Sequence, residues 1–138
     1  MMMRGLMVGA ALTLAACADG PQAARSFDDP AVQKLFAMPT PQYYATLQLA
    51  NQVAQSCARY RYDSVLDAQI NERRNEFGRG SLSAAGLTSQ IELESDVAKR
   101  SFTAKHGVEP GAGADLCPAA DTETQEGGAL SAMLVPVA

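Results

Sequence analysis

The chain has no tryptophan and a single histidine, and aromatic residues make up only 6% of its 138 positions. Each shortage excludes something. With only His106, no two-histidine metal motif exists, and a zinc site has little to build on. No G-x-S-x-G turn occurs, so the strained nucleophile elbow of serine hydrolases is missing. No C-x-x-C occurs, which removes dithiol redox chemistry of the thioredoxin kind. Basic charge is also scarce: 11 Lys and Arg stand against 15 Asp and Glu. A nucleic-acid partner calls for a basic face, and this balance argues against one. Strand-like alternation bounded by turns is absent too, so the expected fold class is all-α. No cofactor motif, no catalytic set and no metal set is found, and the expectation is that the protein is not an enzyme.

The N-terminus carries the strongest signal. Arg4 is the only charge before Asp19, and Gly5 to Ala16 is uncharged and largely apolar. A stable membrane span needs ~20 such residues, so this run is too short and reads as the core of an export signal. It ends in Leu14-Ala15-Ala16-Cys17. That sequence resembles a lipobox, the cleavage and lipidation signal of bacterial lipoproteins. The resemblance implies a signal peptide over residues 1–16, a diacylglyceryl thioether on Cys17, and acylation of the new amino group. Two or more acyl chains give stable attachment, at ~0.8 kcal/mol per buried methylene. The lipid bilayer is thus one expected partner, reached through acylated Cys17. Ala18, rather than Asp, follows the cysteine. By resemblance to enteric sorting rules this favours the periplasmic face of the outer membrane over the inner membrane.

Assigning Cys17 to lipid leaves Cys57 and Cys117. In an exported, oxidising compartment the simplest arrangement is one disulfide between them. The alternative is two free thiols. Closing a loop of about 60 residues stabilises a fold by roughly 4 kcal/mol in the chain-entropy picture.

The remaining sequence reads as helices. Residues 17–39 hold Gly20, Pro21, Pro30 and Pro39 and read as a lipidated N-terminus and tether, with Leu35, Phe36 and Met38 docking on the domain. A helical domain is expected over 40–138. Thr40 and Pro41 supply a cap and a first-turn proline. Tyr43, Leu47, Ala50, Ala54 and Cys57 then fall on one face, which puts Cys57 on the buried side. A second helix starts near Asp63. Leu66, Ile70 and Phe77 point inward, Asp67, Glu72, Arg73, Arg74 and Glu76 face water, and Gly78 ends it. A third opens at Ser83, carries Leu87, Ile91, Glu94, Ala98, Phe102 and Lys105 on one face, and has a candidate break at Ser95-Asp96. Its last turn collects Lys99, Arg100, Lys105 and His106, where cations suit the helix dipole. Gly107 caps it. A final helix is expected from Ala119 to Leu134, with Gly127 and Gly128 inside it and so in close approach to another helix. The sum is a small disulfide-stapled bundle of about four helices.

Taken together, the helix ending at Cys57, the Gly-rich turn before Leu116-Cys117, and the tail Glu123-x-x-x-Gly127-Gly128-Ala129-Leu130-x-x-x-Leu134 resemble a family of small secreted proteins of unknown function from alphaproteobacteria. The resemblance spans about residues 36–134. It implies a secreted helical domain with one disulfide, and no activity. The lipobox and tether depart from the family pattern.

Three features were weighed as sites. Gly78-Arg79-Gly80-Ser81 has the composition of an anion-binding turn, though a plain interhelical turn explains it as well. Arg59, Arg61, Arg73, Arg74 and Arg79 are near one another in sequence and would make a basic patch for a lipid headgroup or acidic partner. Asp63, Asp67, Glu72, Glu76 and Glu92 dilute that patch into a mixed solvated face. Tyr43, Tyr44, Tyr60 and Tyr62 suit either a groove or the edge of the core. Function reads as a non-enzymatic binding or structural role in the cell envelope, with an envelope protein as partner. Two alternatives stand beside it: a small periplasmic chaperone of the acid-stress type, and a ligand binder or enzyme with an unrecognised site.

Overall fold

Proline and its neighbours set the first two helices. In the computed structural model, which describes residues 22–77 and 84–138, Asp29 accepts a hydrogen bond from the Ala31 amide at 2.8 Å and Pro30 opens α1 (Pro30–Phe36). This pairs an acidic cap with a residue whose φ is already helical. α1 lies inside the stretch whose composition reads as tether, yet Ala31, Val32 and Leu35 are fully buried. The folded unit therefore begins before residue 40. The start of the chain through residue 21, Cys17 included, lies outside the described residues, as does the turn at 78–83.

The second helix, α2 (Thr40–Gln55), starts one residue earlier than its sequence suggests. Pro39 takes the cap position and Thr40 is already helical, so the Thr40 hydroxyl is free to accept from Arg74 Nη2 at 3.2 Å. Its expected inner face is correct: Tyr43, Leu47, Ala50 and Ala54 are buried, with Cys57 just beyond the end. A strand, β1 (Tyr60–Tyr62), leads into α3 (Ser64–Phe77). Asp63 caps α3 by accepting from the Leu66 amide at 3.0 Å, the three-residue reach of an N-cap carboxylate.

α4 (Ala84–His106) is a single helix and does not break at Ser95-Asp96. The reason is that the Ser95 hydroxyl is already used: it donates to Gln48 Oε1 on α2 at 2.7 Å. A side chain spent on a neighbouring helix cannot cap a new one. α4 packs along α2 through this bond and through buried Phe102.

The C-terminal expectation needs a larger correction. α5 spans Cys117–Glu126 and stops at Gly127, which sits at φ +62°. Only glycine adopts that left-handed geometry without cost, so it ends the helix rather than sitting inside it. A short 3-10 helix (Ala129–Met133) and a strand, β2 (Leu134–Pro136), follow. β2 pairs antiparallel with β1 in the register Tyr60↔Pro136, Arg61↔Val135 and Tyr62↔Leu134. The fold is thus mostly helical, with five α-helices among the described residues, and is not all-α. Strands of three residues are too short to show a period of two.

A disulfide joins Cys57 and Cys117, with Cα atoms 4.9 Å apart. It ties the end of α2 to the start of α5. The core between them is filled by Leu35, Tyr43, Leu66, Ile70, Leu116, Met133 and Leu134, all fully buried.

Candidate functional site

The most concentrated polar chemistry lies where α4 meets α5. The last turn of α4 presents Lys105 and His106, and α5 presents Glu123 and Glu126. His106 Nε2 lies 2.7 Å from Glu123 Oε1, and Lys105 Nζ donates to the same oxygen at 2.8 Å. Lys105 also pairs with Glu126. The histidine side chain is 4% exposed and that of Glu123 11%, so this is an interior pair with one exposed lysine on its rim. The imidazole rests against Phe102 with ring centroids 4.5 Å apart. Hydrogen bonds to Glu123 and then Glu126 favour the charged ammonium and raise the Lys105 pKa above the usual lysine value.

Glu123 also explains the glycines after it. Its carbonyl accepts from the Gly127 amide at 3.1 Å. A Cβ on Gly128 would lie 3.2 Å from Glu123 Oε2. The tail pattern Glu-x-x-x-Gly-Gly is therefore a helix stop folded around an ion pair, not a helix–helix contact.

A shallow cleft of about 330 Å³ opens beside this cluster, lined by Lys105, His106, Val108, Asp115, Ala119 and Thr122 among others. A histidine–carboxylate pair is able to pass a proton when a reacting group is in reach. Here the nearest polar groups are engaged in local structure. Asp115 accepts from the Cys117 amide at 3.0 Å, and the Thr122 hydroxyl donates to the Pro118 carbonyl at 3.1 Å. Among the described residues, no cluster of three or more His, Cys, Asp or Glu is placed to hold a metal ion.

A second cluster forms around Asp63, which is almost wholly buried. Its carboxylate accepts from the Leu66 and Ala24 amides, the latter at 2.9 Å, so it ties the N-terminal segment to α3. Next to it, Tyr62 donates to Asp67 Oδ2 at 2.9 Å, Asn71 donates to Asp67 Oδ1 at 2.6 Å, and Tyr43 donates to Asn71 at 3.3 Å. Burial, then the bond to Asp67, raises the Tyr62 hydroxyl far above the usual tyrosine range. Burial and the Asp67 charge do the same to Tyr43. Asp67, half-buried, thus accepts from a tyrosine and an asparagine.

Among the described residues, the candidate arginines have separate partners. Arg59 pairs with Asp121 at 2.8 Å, and Tyr60 donates to the other oxygen of Asp121 at 2.9 Å. Arg73 stacks on the Phe27 ring at 3.6 Å. Arg74 reaches inward: it donates to the Phe36 and Met38 carbonyls at 2.6 and 3.0 Å and lies 4.2 Å from the centre of the Tyr43 ring. Arg61 is exposed on β1. Arg79 and its glycine turn lie outside the described residues. The tyrosines join core edge to polar ties, with Tyr43 and Tyr44 edge-on at 5.1 Å.

One surface is different. The outward side of α4 carries Leu93 at 64% exposure and Val97 at 49%. Ser89, Gln90, Ser101 and Ala104 on the same side are exposed, as are Glu92, Asp96, Lys99 and Arg100 at its margin. None of those four charges forms an ion pair within the described residues. Among the described residues, no helix is long and apolar enough to cross a membrane.

Comparison with protein-family models, with curated proteins and with solved structures gave no match.

Proposed function

We propose that this chain is a membrane-anchored envelope lipoprotein with a non-enzymatic binding or structural role, displaying its partner-binding surface on α4. In this reading Cys17 carries the acyl chains after removal of residues 1–16. A short tether follows, and a small disulfide-stapled helical bundle stands off the periplasmic face of the outer membrane. The likeness of the tail to a secreted alphaproteobacterial family agrees with export but supplies no activity.

One observation carries the reading. Among the described residues, the two buried polar clusters, around Glu123 and around Asp63, hold elements together, whereas Leu93 and Val97 on α4 are exposed. Pairing of Glu123 with His106 and Lys105 secures the C-terminal elements. Asp63 and Arg74 secure the N-terminal ones. An exposed apolar stripe has no such use within the fold, and exposed apolar groups at a charged margin suit a partner surface.

A photoreactive residue at position 93 of the full chain, expressed in cells, tests this. The expected result is a discrete adduct with an envelope protein, absent when the same group stands at Glu72 on α3. No adduct at position 93, or the same adducts from both positions, would overturn the proposal.

A further inference from the structure

We infer that the partner of the α4 face is a second copy of this chain, docked antiparallel through α4 itself. The inference rests on the anchored binding role proposed above and names its partner. Along its exposed side α4 carries acids first, Glu92 and Asp96, and bases later, Lys99 and Arg100. All four are exposed, and none has an ion-pair partner within the described residues.

Helical spacing decides what such an order can pair with. At 100° per residue, Leu93 and Val97 lie within 40° of each other, and Arg100 and Ala104 share the same side. Asp96 lies on one flank of this stripe. When two identical helices pair in parallel about a twofold axis, opposite flanks face each other, so the Asp96 flank of one copy meets the uncharged Gln90 and Ser101 flank of the other and finds no cation. When they pair antiparallel about a twofold axis, the same flank of each helix faces the other, with its direction reversed. The acidic half of one copy then meets the basic half of its neighbour. Only the antiparallel arrangement is self-complementary.

The apolar residues fix the register. With the twofold level with Ala98, Asp96 of each copy comes level with Arg100 of the other. Val97 meets its equivalent near the axis. Leu93 lies over Ser101 and Ala104, whose small side chains let the helices approach. The largest exposed apolar side chains of α4 are covered and the margin charges find opposite partners in the same step.

The contact is small. One helix pair covers far less than the ~1,600 Å² of a standard stable interface. Confinement of anchored copies to one membrane raises their effective concentration and compensates. Self-association is therefore expected on the membrane and weak after dilution in detergent.

Disulfide trapping in whole membranes tests the inference. Cys57 and Cys117 are bonded to each other, so Val97→Cys adds one available thiol to the anchored chain. Mild oxidation of full-length V97C is expected to give a reductant-sensitive species of twice the chain mass, and E72C on α3 is expected to give none. Adding Asp96→Arg to V97C places like charges level at both ends of the contact and lowers the trapped yield about tenfold. Adding Arg100→Asp as well restores complementarity and restores the yield. A monomeric V97C, equal trapping of E72C, or a D96R variant trapped as well as its parent would overturn the inference. A photoadduct of different mass at position 93, with V97C monomeric, would overturn self-association while leaving the broader binding role standing. Loss of membrane attachment with trapping intact would instead overturn the anchor.

Discussion

Glu123 shows how much a single side chain carries here. It is largely buried, accepts from Lys105, pairs with His106, and through its carbonyl ends its own helix at Gly127. Removing it leaves the His106 nitrogen without its partner in an interior site. Glu123→Ala is expected to cost about 2 kcal/mol, discounted for the exposed lysine, and a fall in the urea unfolding midpoint checks it. Part of this was legible in the sequence. His106 was expected as a cation at a helix end, and it stands at that end. Its partner was not legible, because Glu123 lies 17 residues away and only the packing of α5 on α4 brings the two together. Tyr62 gives a pH prediction. Burial and Asp67 raise its hydroxyl above the ordinary value of 10.0, so the folded state holds the neutral phenol more firmly than the unfolded chain does. The stability gained is complete below that ordinary value and is lost as pH rises beyond it. Tyr62→Phe is expected to lose about 1 kcal/mol near neutral pH through the missing hydrogen bond, yet to weaken less on going alkaline. Urea melts at neutral and strongly alkaline pH distinguish the two effects.

At the scale of elements, the sequence read well where a helix announces its own face and poorly where two segments must meet. The inner face of α2 follows from its spacing alone, and the start of α3 near Asp63 is legible as well, though the capping bond itself is not. The β1–β2 pair does not, because each strand is three residues long and their partners lie more than seventy positions apart. Gly127 is expected inside a long helix, in close approach to another, and is instead the stop signal of a shorter one. Its φ of +62° makes a direct prediction. Gly127→Ala is expected to cost about 1–2 kcal/mol from left-handed backbone strain, measurable as a drop in thermal midpoint. Gly107 at φ +68° ends α4 in the same way and was recognised as a cap. The Cys57–Cys117 bond closes a covalent loop across a sequence separation of 60 and joins α2 to α5. Its reduction is expected to remove roughly 4 kcal/mol, seen as a shift in chemical denaturation with and without reductant. Ser95 marks the limit of reading caps from sequence. A serine followed by aspartate resembles a helix start, and only the Gln48 bond shows why the helix runs on.

For the whole molecule, the account joins two sources. The fold shows a mostly helical domain in which, among the described residues, the buried polar clusters around Glu123 and Asp63 tie elements together, while Leu93 and Val97 on α4 stay exposed. The sequence before residue 22 supplies the proposed anchor. These fit one another physically. A weak self-complementary face works when neighbours are confined to one surface, and the proposed lipid at Cys17 would provide that confinement. The segment from Ala23 to α1 is already tied to the domain through Ala24 and Asp63, which leaves only a short stretch between the fold and Cys17 to act as a tether. The domain is therefore expected to sit close to the bilayer rather than far from it. Everything in this picture depends on the fate of Cys17. The most direct measurement is mass spectrometry of the protein extracted from cell membranes and digested without reduction. The account predicts an N-terminal peptide that begins at Cys17, carries a diacylglyceryl thioether and an acylated amino group, and is accompanied by a linked Cys57–Cys117 peptide pair. A mature chain that retains residues 1–16, or that shows Cys17 as an unmodified thiol, would contradict it.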